Sequence, residues 1–371
     1  MIIRTEQSSD KSQVKQLWRI CFNDTDKFVE WFFKERWLPD YGLVAEDNGK
    51  IVAAMQGWPY ILNVRGKKIP ASMLAGVSTH PDYRGQGLMP KCLSLFMENT
   101  RSRGENIVFH TPARHTTFFK CLHYSASLTG FVSYNTDTRF FHDSEVVVED
   151  VCNVSADKLL DVYTDNFGMY SGAVCRNLDD MALKLHDYAS SDARLVYIKK
   201  NEKIIAYAVC MFDNENMTVE EFCAPSEIYR DKILNAVAAI GKGRSHIIKL
   251  PQKLIPNLPT GFSIESIPTG VMGAANIQSL LKTIAGFDDI TVEIKDHMLI
   301  SNCGKLKFNG EPTDGECDII IDSGHLLQYL NGFSSIKEIV AENHCVVKNS
   351  SIIHILDERL PKTDCYVVEE Y

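Results

Sequence analysis

The chain has 371 residues, 45% of them hydrophobic and 23% charged, enough for more than one core at roughly 150 residues per domain. This excludes a disordered tail and a small disulfide-stapled scaffold. Lys plus Arg number 39 against 48 Asp plus Glu, a net charge of −9 that disfavours nucleic acid as a partner and suits a cationic one. The opening Met1-Ile2-Ile3-Arg4-Thr5 has no leader pattern, and no apolar run reaches the ~18 residues of a membrane span, so a cytoplasmic protein without a membrane partner is expected. The 11 cysteines are odd in number and form no Cys-x-x-Cys pair, which fits reduced thiols with neither a zinc site nor a disulfide frame.

In chain order, Ser8-Ser9-Asp10 precedes Val14, Leu17, Trp18 and Cys21, whose spacing predicts a capped amphipathic helix after a short strand. Leu43 to Ala45, the turn Asp47-Asn48-Gly49 and Ile51 to about Tyr60 predict a hairpin, and a second turns at Arg65-Gly66-Lys67. Its second strand ends near Val77-Ser78-Thr79-His80. There follow Pro81-Asp82-Tyr83-Arg84-Gly85-Gln86-Gly87 and a helical pattern at Leu88, Cys92, Leu93 and Phe96. A strand at Ile107 to His110 and a short helix around Thr116 to Leu122 complete an α+β unit over 1–145.

Leu43-Val44 followed by Lys50-Ile51-Val52-Ala53 reappears as Leu195-Val196 followed by Lys203-Ile204-Ile205-Ala206, which predicts a second, repeated unit over 146–260. Two unrelated hairpins sharing common strand residues would look the same. The copy enters its helix through Pro225-Ser226-Glu227 and lacks a Gly-x-Gly turn. Pro256 to Gly261 reads as a linker to a third α+β segment over 261–371, with a helix at Ile277 to Ile284 and strands at Ile290 to Ile294, Met298 to Ser301 and Cys317 to Ile321.

Between strand and helix, Arg84-Gly85-Gln86-Gly87 offers bare backbone N–H groups and the positive end of a helix dipole to an anion. It matches neither Walker A nor the dinucleotide fingerprint, and a tight turn that binds nothing is the alternative. Its Arg-x-x-Gly-x spacing, with Thr117-Phe118-Phe119-Lys120-Cys121-Leu122-His123-Tyr124 downstream, resembles the GNAT superfamily of N-acetyltransferases. The whole-chain plan, two tandem GNAT-like units and a C-terminal domain resembling sterol carrier proteins, resembles the Eis (enhanced intracellular survival) family.

That resemblance implies a mixed α/β fold and acetyl-CoA as cosubstrate, with Val77, Ser78 and Thr79 along the pantetheine. Arg84, Gly85, Gln86, Gly87, Leu88 and Met89 would take the phosphates. It implies direct transfer in a ternary complex without metal, the Tyr124 hydroxyl protonating the departing thiolate and the α-carboxylate of Tyr371 acting as base beside Glu370. The sequence departs from the pattern at Phe119, where many members carry a tyrosine, at His123 in place of a glycine, and at Gly85 and Gln86, where arginines are common. Tyr124 could equally be a structural strand-end tyrosine, and the last residues a solvated tail.

All 4 tryptophans lie in the first 58 residues. Trp18 is expected in the core, while Asp26, Trp31 and Trp37 are pocket-wall candidates for an amine. His80, His110, His115, His123 and Cys121 receive no catalytic role, since direct transfer needs no covalent enzyme intermediate. The expected reaction is acetyl transfer to a primary amine, either an aminoglycoside-like polycation or a lysine side chain, by an enzyme able to form homo-oligomers. A lipid-binding or scaffolding protein with a vestigial transferase unit is the competing expectation. A bulkier polyanionic donor such as aminoacyl-tRNA fits the negative charge poorly.

Overall fold

The structure is a computed structural model and describes residues 1–111, 117–134, 143–212, 215–367 and 369. Its first strand, β1 (Ile2–Thr5), leads through a single turn at Ser8–Asp10 into α1 (Lys11–Cys21), then α2 (Asp26–Trp31). The turn holds because Asp10 accepts from the Gln7 N–H at 2.8 Å while Arg4 grips its carboxylate. The Val14, Leu17 and Trp18 face of α1 is buried, as its spacing predicts.

Next come β2 (Leu43–Asp47), β3 (Lys50–Val64), β4 (Lys67–Thr79), α3 (Leu88–Ser102), β5 (Ile107–His110) and β6 (Tyr124–Tyr134). A second series repeats the plan: β7 (Val146–Asp150), α4 (Ala156–Phe167), α5 (Leu178–Ser190), β8 (Arg194–Lys200), β9 (Lys203–Phe212), β10 (Asn216–Cys223), α6 (Glu227–Ile240), β11 (Ser245–Pro251) and β12 (Phe262–Ala274). The repeat seen in the two hairpins extends to their irregularities. One extra residue bulges from β3 at Val52 and from β9 at Ile205, and another pair of bulges interrupts β4 and β10. In both series the strand before the helix pairs in parallel with the strand after it.

These twelve strands form one sheet in the order β1-β2-β3-β4-β5-β12-β6-β11-β10-β9-β8-β7. The order reveals an exchange. β5 lies beside β12 of the second series, and β11 lies beside β6 of the first, with β6 and β12 antiparallel at the centre. Residues 262–274, which the sequence places after a linker in the third segment, are therefore a central strand of this sheet. Helices cover both faces, and separate apolar clusters form under α1, under α3 and on either face of the second series.

After α7 (Ile277–Leu280) the chain builds a smaller sheet ordered β14-β13-β15-β16 from β13 (Thr291–Lys295), β14 (Gly304–Lys307), β15 (Ile319–Asp322) and β16 (Cys345–Val347). The strand expected at Met298 to Ser301 is instead bent. Asp296 accepts from the Met298 and Leu299 N–H groups at 2.8 and 2.7 Å, and a short turn over Ile300–Asn302 follows. The helix expected around Thr116 to Leu122 is, where described, one turn at Phe119–Cys121. Helix α8 (Ser323–Asn331) packs back on the large sheet, its Leu326 and Leu330 sharing a cluster with Met73 and Phe109. Among the described residues no helix is long and apolar enough to cross a membrane.

Candidate active site

β4 pairs with β3 along its whole length but with β5 only at Ala71, Ser72 and Met73. Beyond Met73 the two parallel strands part, so the edge of β4 from Leu74 to Thr79 keeps backbone groups that β5 does not take. A bulge sharpens this parting. Gly76 and Val77 together face Met55, and Gly76 adopts φ +57°, where a Cβ would stand 2.3 Å from Trp18 Cζ3. An isolated glycine inside a strand pattern is the signal that sequence reading passed over.

The turn after β4 opens with Pro81–Tyr83, and Gly85 and Gly87 then take φ +75° and +71°, with Gly87 capping α3. Nothing stands within 4 Å of where a Cβ would be at either glycine, so the backbone at the head of a 15-residue helix is bare on that side. Arg84 is tethered rather than loose: its Nε donates to the Thr79 carbonyl at 3.0 Å, which holds the guanidinium over the end of β4.

Parting strands and bare turn enclose a cleft of about 870 Å³. Val77, Ser78 and Thr79 line it from β4, and Arg84, Gly85, Gly87, Leu88 and Met89 from the turn and α3. Gln86 lies within the turn with its amide toward the Asp82 carbonyl. Cys21 and Phe22 at the end of α1 and Phe118 on the far wall also line it, and sequence reasoning gave none of these three a part in it.

His110 also reaches the cleft wall, with both of its ring nitrogens engaged. It is buried, its Nε2 lies 3.2 Å from His123 Nδ1, and His123 Nε2 lies 3.2 Å from Met97 Sδ. Burial pulls His110 down to about 4 and His123 well below the ordinary imidazole range, so both are neutral at pH 7. The glycine of the aromatic pattern is missing at His123, and space for the ring comes from Gly273 on β12, where a Cβ would stand 2.2 Å from His123 Nε2.

Tyr124 starts β6 and is not among the residues that line the cleft. Its register partner on β12 is Met272, which pairs in turn with Phe109 of β5, so Tyr124 shares the sheet face of Phe109, opposite α3. The ring is half-buried between Phe119 and His325. Burial, with the Asp322 carboxylate adding to it, raises its hydroxyl above the ordinary phenol range and keeps the proton on at neutral pH.

The structure does not bring Asp26, Trp31 or Trp37 into the cleft. Asp26 pairs with Arg19 at the surface, Trp31 packs at the edge of the α1 cluster, and the Trp37 indole donates to Glu6 at 2.8 Å. Glu370 and Tyr371 lie outside the described residues, as does His115. Described residues just before them are held by the fold. The Tyr366 N–H donates to the Ser171 carbonyl at 3.0 Å, Val367 presses on Gly270, and Glu369 is buried against Arg176. Burial opposes the charge on Glu369, but Arg176 and Lys184 outweigh it and hold the carboxyl below its usual range. Arg176 also pairs with Glu221 at 2.7 Å. Among the described residues no three His, Cys, Asp or Glu side chains gather so as to hold a metal ion.

The span from β1 to the first residues of β6, which carries the bulge, the glycine turn and Tyr124, also carries a family signature. Residues 2–125 match the acetyltransferase (GNAT) domain. No curated protein matches the chain. Among solved structures, the GNAT domain and everything after it superpose on a probable N-acyltransferase from Enterococcus faecalis V583 at TM-score 0.83 and 15% identity, covering 100% of this chain and 99% of that one. A GCN5-related N-acetyltransferase from Anabaena variabilis gives 0.81 at 13% identity, and Eis1 from Mycobacterium abscessus 0.78 at 13%, each covering 100% of both chains. At these identities the likeness is one of fold: a GNAT domain, a second GNAT-like unit and the smaller segment behind them.

Proposed function

We propose that this protein transfers an acetyl group from acetyl-CoA to a primary amine by direct attack in a ternary complex. The observation that carries the reading is the parting of β4 from β5 beside a turn whose two left-handed glycines leave the head of α3 bare. The β4 edge from Val77 to Thr79 can pair with an amide-bearing arm as a strand would, and the turn N–H groups with Arg84 can bind a diphosphate. The fit is tested by the glycines themselves, since side chains at Gly85 and Gly87 would occupy the approach.

In this reading a backbone N–H of the Val77–Thr79 edge steadies the negative oxygen that develops when the amine nitrogen attacks the thioester carbon. As the carbon–sulfur bond breaks, Tyr124, whose hydroxyl keeps its proton at neutral pH, gives that proton to the sulfur. The amine's proton passes to a carboxylate, for which we propose the Tyr371 α-carboxylate; the burial of Glu369 against Arg176 supports this. The net negative charge favours a cationic acceptor, a polyamine or a lysine side chain. For the third segment we propose kinship with sterol carrier proteins.

The test is thiol release from acetyl-CoA across a panel of amines, with calorimetry of acetyl-CoA binding. Tyr124→Phe should lower kcat by about 10²–10⁴-fold while the donor still binds. No binding of acetyl-CoA would end the reading, and an undiminished Tyr124→Phe would end the assignment of the acid.

A further inference from the structure

β11 pairs with β6 only from Thr129 to Val132, so the edge of β6 at Ser125 and Ala126 runs on past its neighbour. Helix α8 from the third segment takes over there. Gln328 Nε2 donates to the Ser125 carbonyl at 2.6 Å and Asn331 Nδ2 to the Ala126 carbonyl at 3.0 Å, so side-chain amides replace the missing strand. His325, Gln328 and Asn331 follow at three-residue spacing and share this face of α8.

The first turn of α8 meets Tyr124 itself. Gly324 lies under the ring, where a Cβ would stand 2.6 Å from Tyr124 Cδ2 and 2.3 Å from the Leu122 carbonyl. The His325 ring covers the phenol at 4.1 Å between centroids and 34° between planes. His325 is fixed in turn. Asp322 accepts from its backbone N–H at 2.9 Å and pairs with its Nδ1, while the ring of His344 stacks on its other side at 4.1 Å and 17°. A stack running Phe119, Tyr124, His325, His344 therefore joins the GNAT domain to the third segment.

We propose that His325 is a positioning residue for Tyr124: the third segment presses an aromatic ring on the phenol and so sets where its hydroxyl points. The inference rests on the reading of Tyr124 as the acid. A general acid works from a narrowly defined place, and displacement of about 1 Å costs on the order of 100-fold in rate. The cleft for the donor lies among other residues, so donor binding should not share the loss.

The experiment compares full-length wild type, His325→Ala, His325→Gln, His325→Phe and Tyr124→Phe by steady-state kinetics, with acetyl-CoA affinity by calorimetry. His325→Gln keeps an amide able to donate to Asp322 without a ring, and serves where His325→Ala does not fold. The expected result is a kcat loss of about 100-fold in the Ala and Gln variants at unchanged acetyl-CoA affinity, most of it recovered in His325→Phe, which restores the ring but no ionisable group. Equal losses in His325→Phe and His325→Gln would overturn the inference, as would wild-type kcat in His325→Gln while Tyr124→Phe is inactive. Wild-type kcat in Tyr124→Phe would overturn the underlying assignment instead.

Discussion

Replacing Gly76 by alanine probes how the strand parting is made. Alanine in the left-handed region at φ +57° costs about 1–2 kcal/mol. Its methyl would also stand 2.3 Å from Trp18 Cζ3 and 3.1 Å from Gln56 Cγ. Trp18 has no room to give way: it is buried, its indole donates to Asp24 at 2.8 Å, and Phe22, Phe32 and Phe33 surround its ring with centroids at 4.9, 4.4 and 5.8 Å. Overpacking of this kind costs about 1–3 kcal/mol, so Gly76→Ala should lose roughly 2–5 kcal/mol. Gly49→Ala is the control, because Gly49 has φ +81° in the β2–β3 turn with nothing within 4 Å of a Cβ, and should lose the backbone term alone. Urea midpoints measure the difference. Calorimetry with acetyl-CoA asks whether relaxing the bulge also moves the Val77–Thr79 edge, in which case affinity falls in Gly76→Ala and not in Gly49→Ala. Equal stability losses in the two variants would refute the packing argument.

Arg176→Met should cost about 3–5 kcal/mol, because it strands the buried carboxylates of Glu221 and Glu369; chemical denaturation measures it. Glu6 is raised to about 8 by burial, despite the bonds it accepts from Gln56 and Trp37. The folded state thus holds a proton that the unfolded state releases near 4.5, so this group's contribution is complete below that pH and fades as pH climbs toward 8. Tm measured across that window should fall less steeply in Glu6→Gln than in wild type, and parallel curves would contradict the linkage. Gln86→Arg adds a cation at the exposed turn and should tighten acetyl-CoA binding by about 0.2–1 kcal/mol, a gain that calorimetry at about 0.5 M salt should show erased, because added salt screens exposed charges.

The glycine turn was legible because its chemistry is local: two left-handed positions within four residues, a strand before and a helix after. The paired hairpins were legible for the same reason, down to the Lys-Ile-Val-Ala and Lys-Ile-Ile-Ala runs in which both strands bulge. The rest depends on partners distant in sequence. Residues 262–274 follow the linker-like Pro256 to Gly261, yet Gly270 and Gly273 are the places where Val367 and His123 press against a central strand. The contact of Gly324 with Tyr124 spans 200 positions of chain, and no local pattern announces it. Helix-like or strand-like periodicity likewise cannot report that Asp296 bends Met298 and Leu299 out of a strand.

The crossing of β6 and β12 has a consequence for how the protein can age. The second series enters its helix without a Gly-x-Gly turn, yet it supplies the strand that borders β5 beside the cleft. Cutting the gene between the two halves would bare a flank of each, and neither inheritor could discard the other.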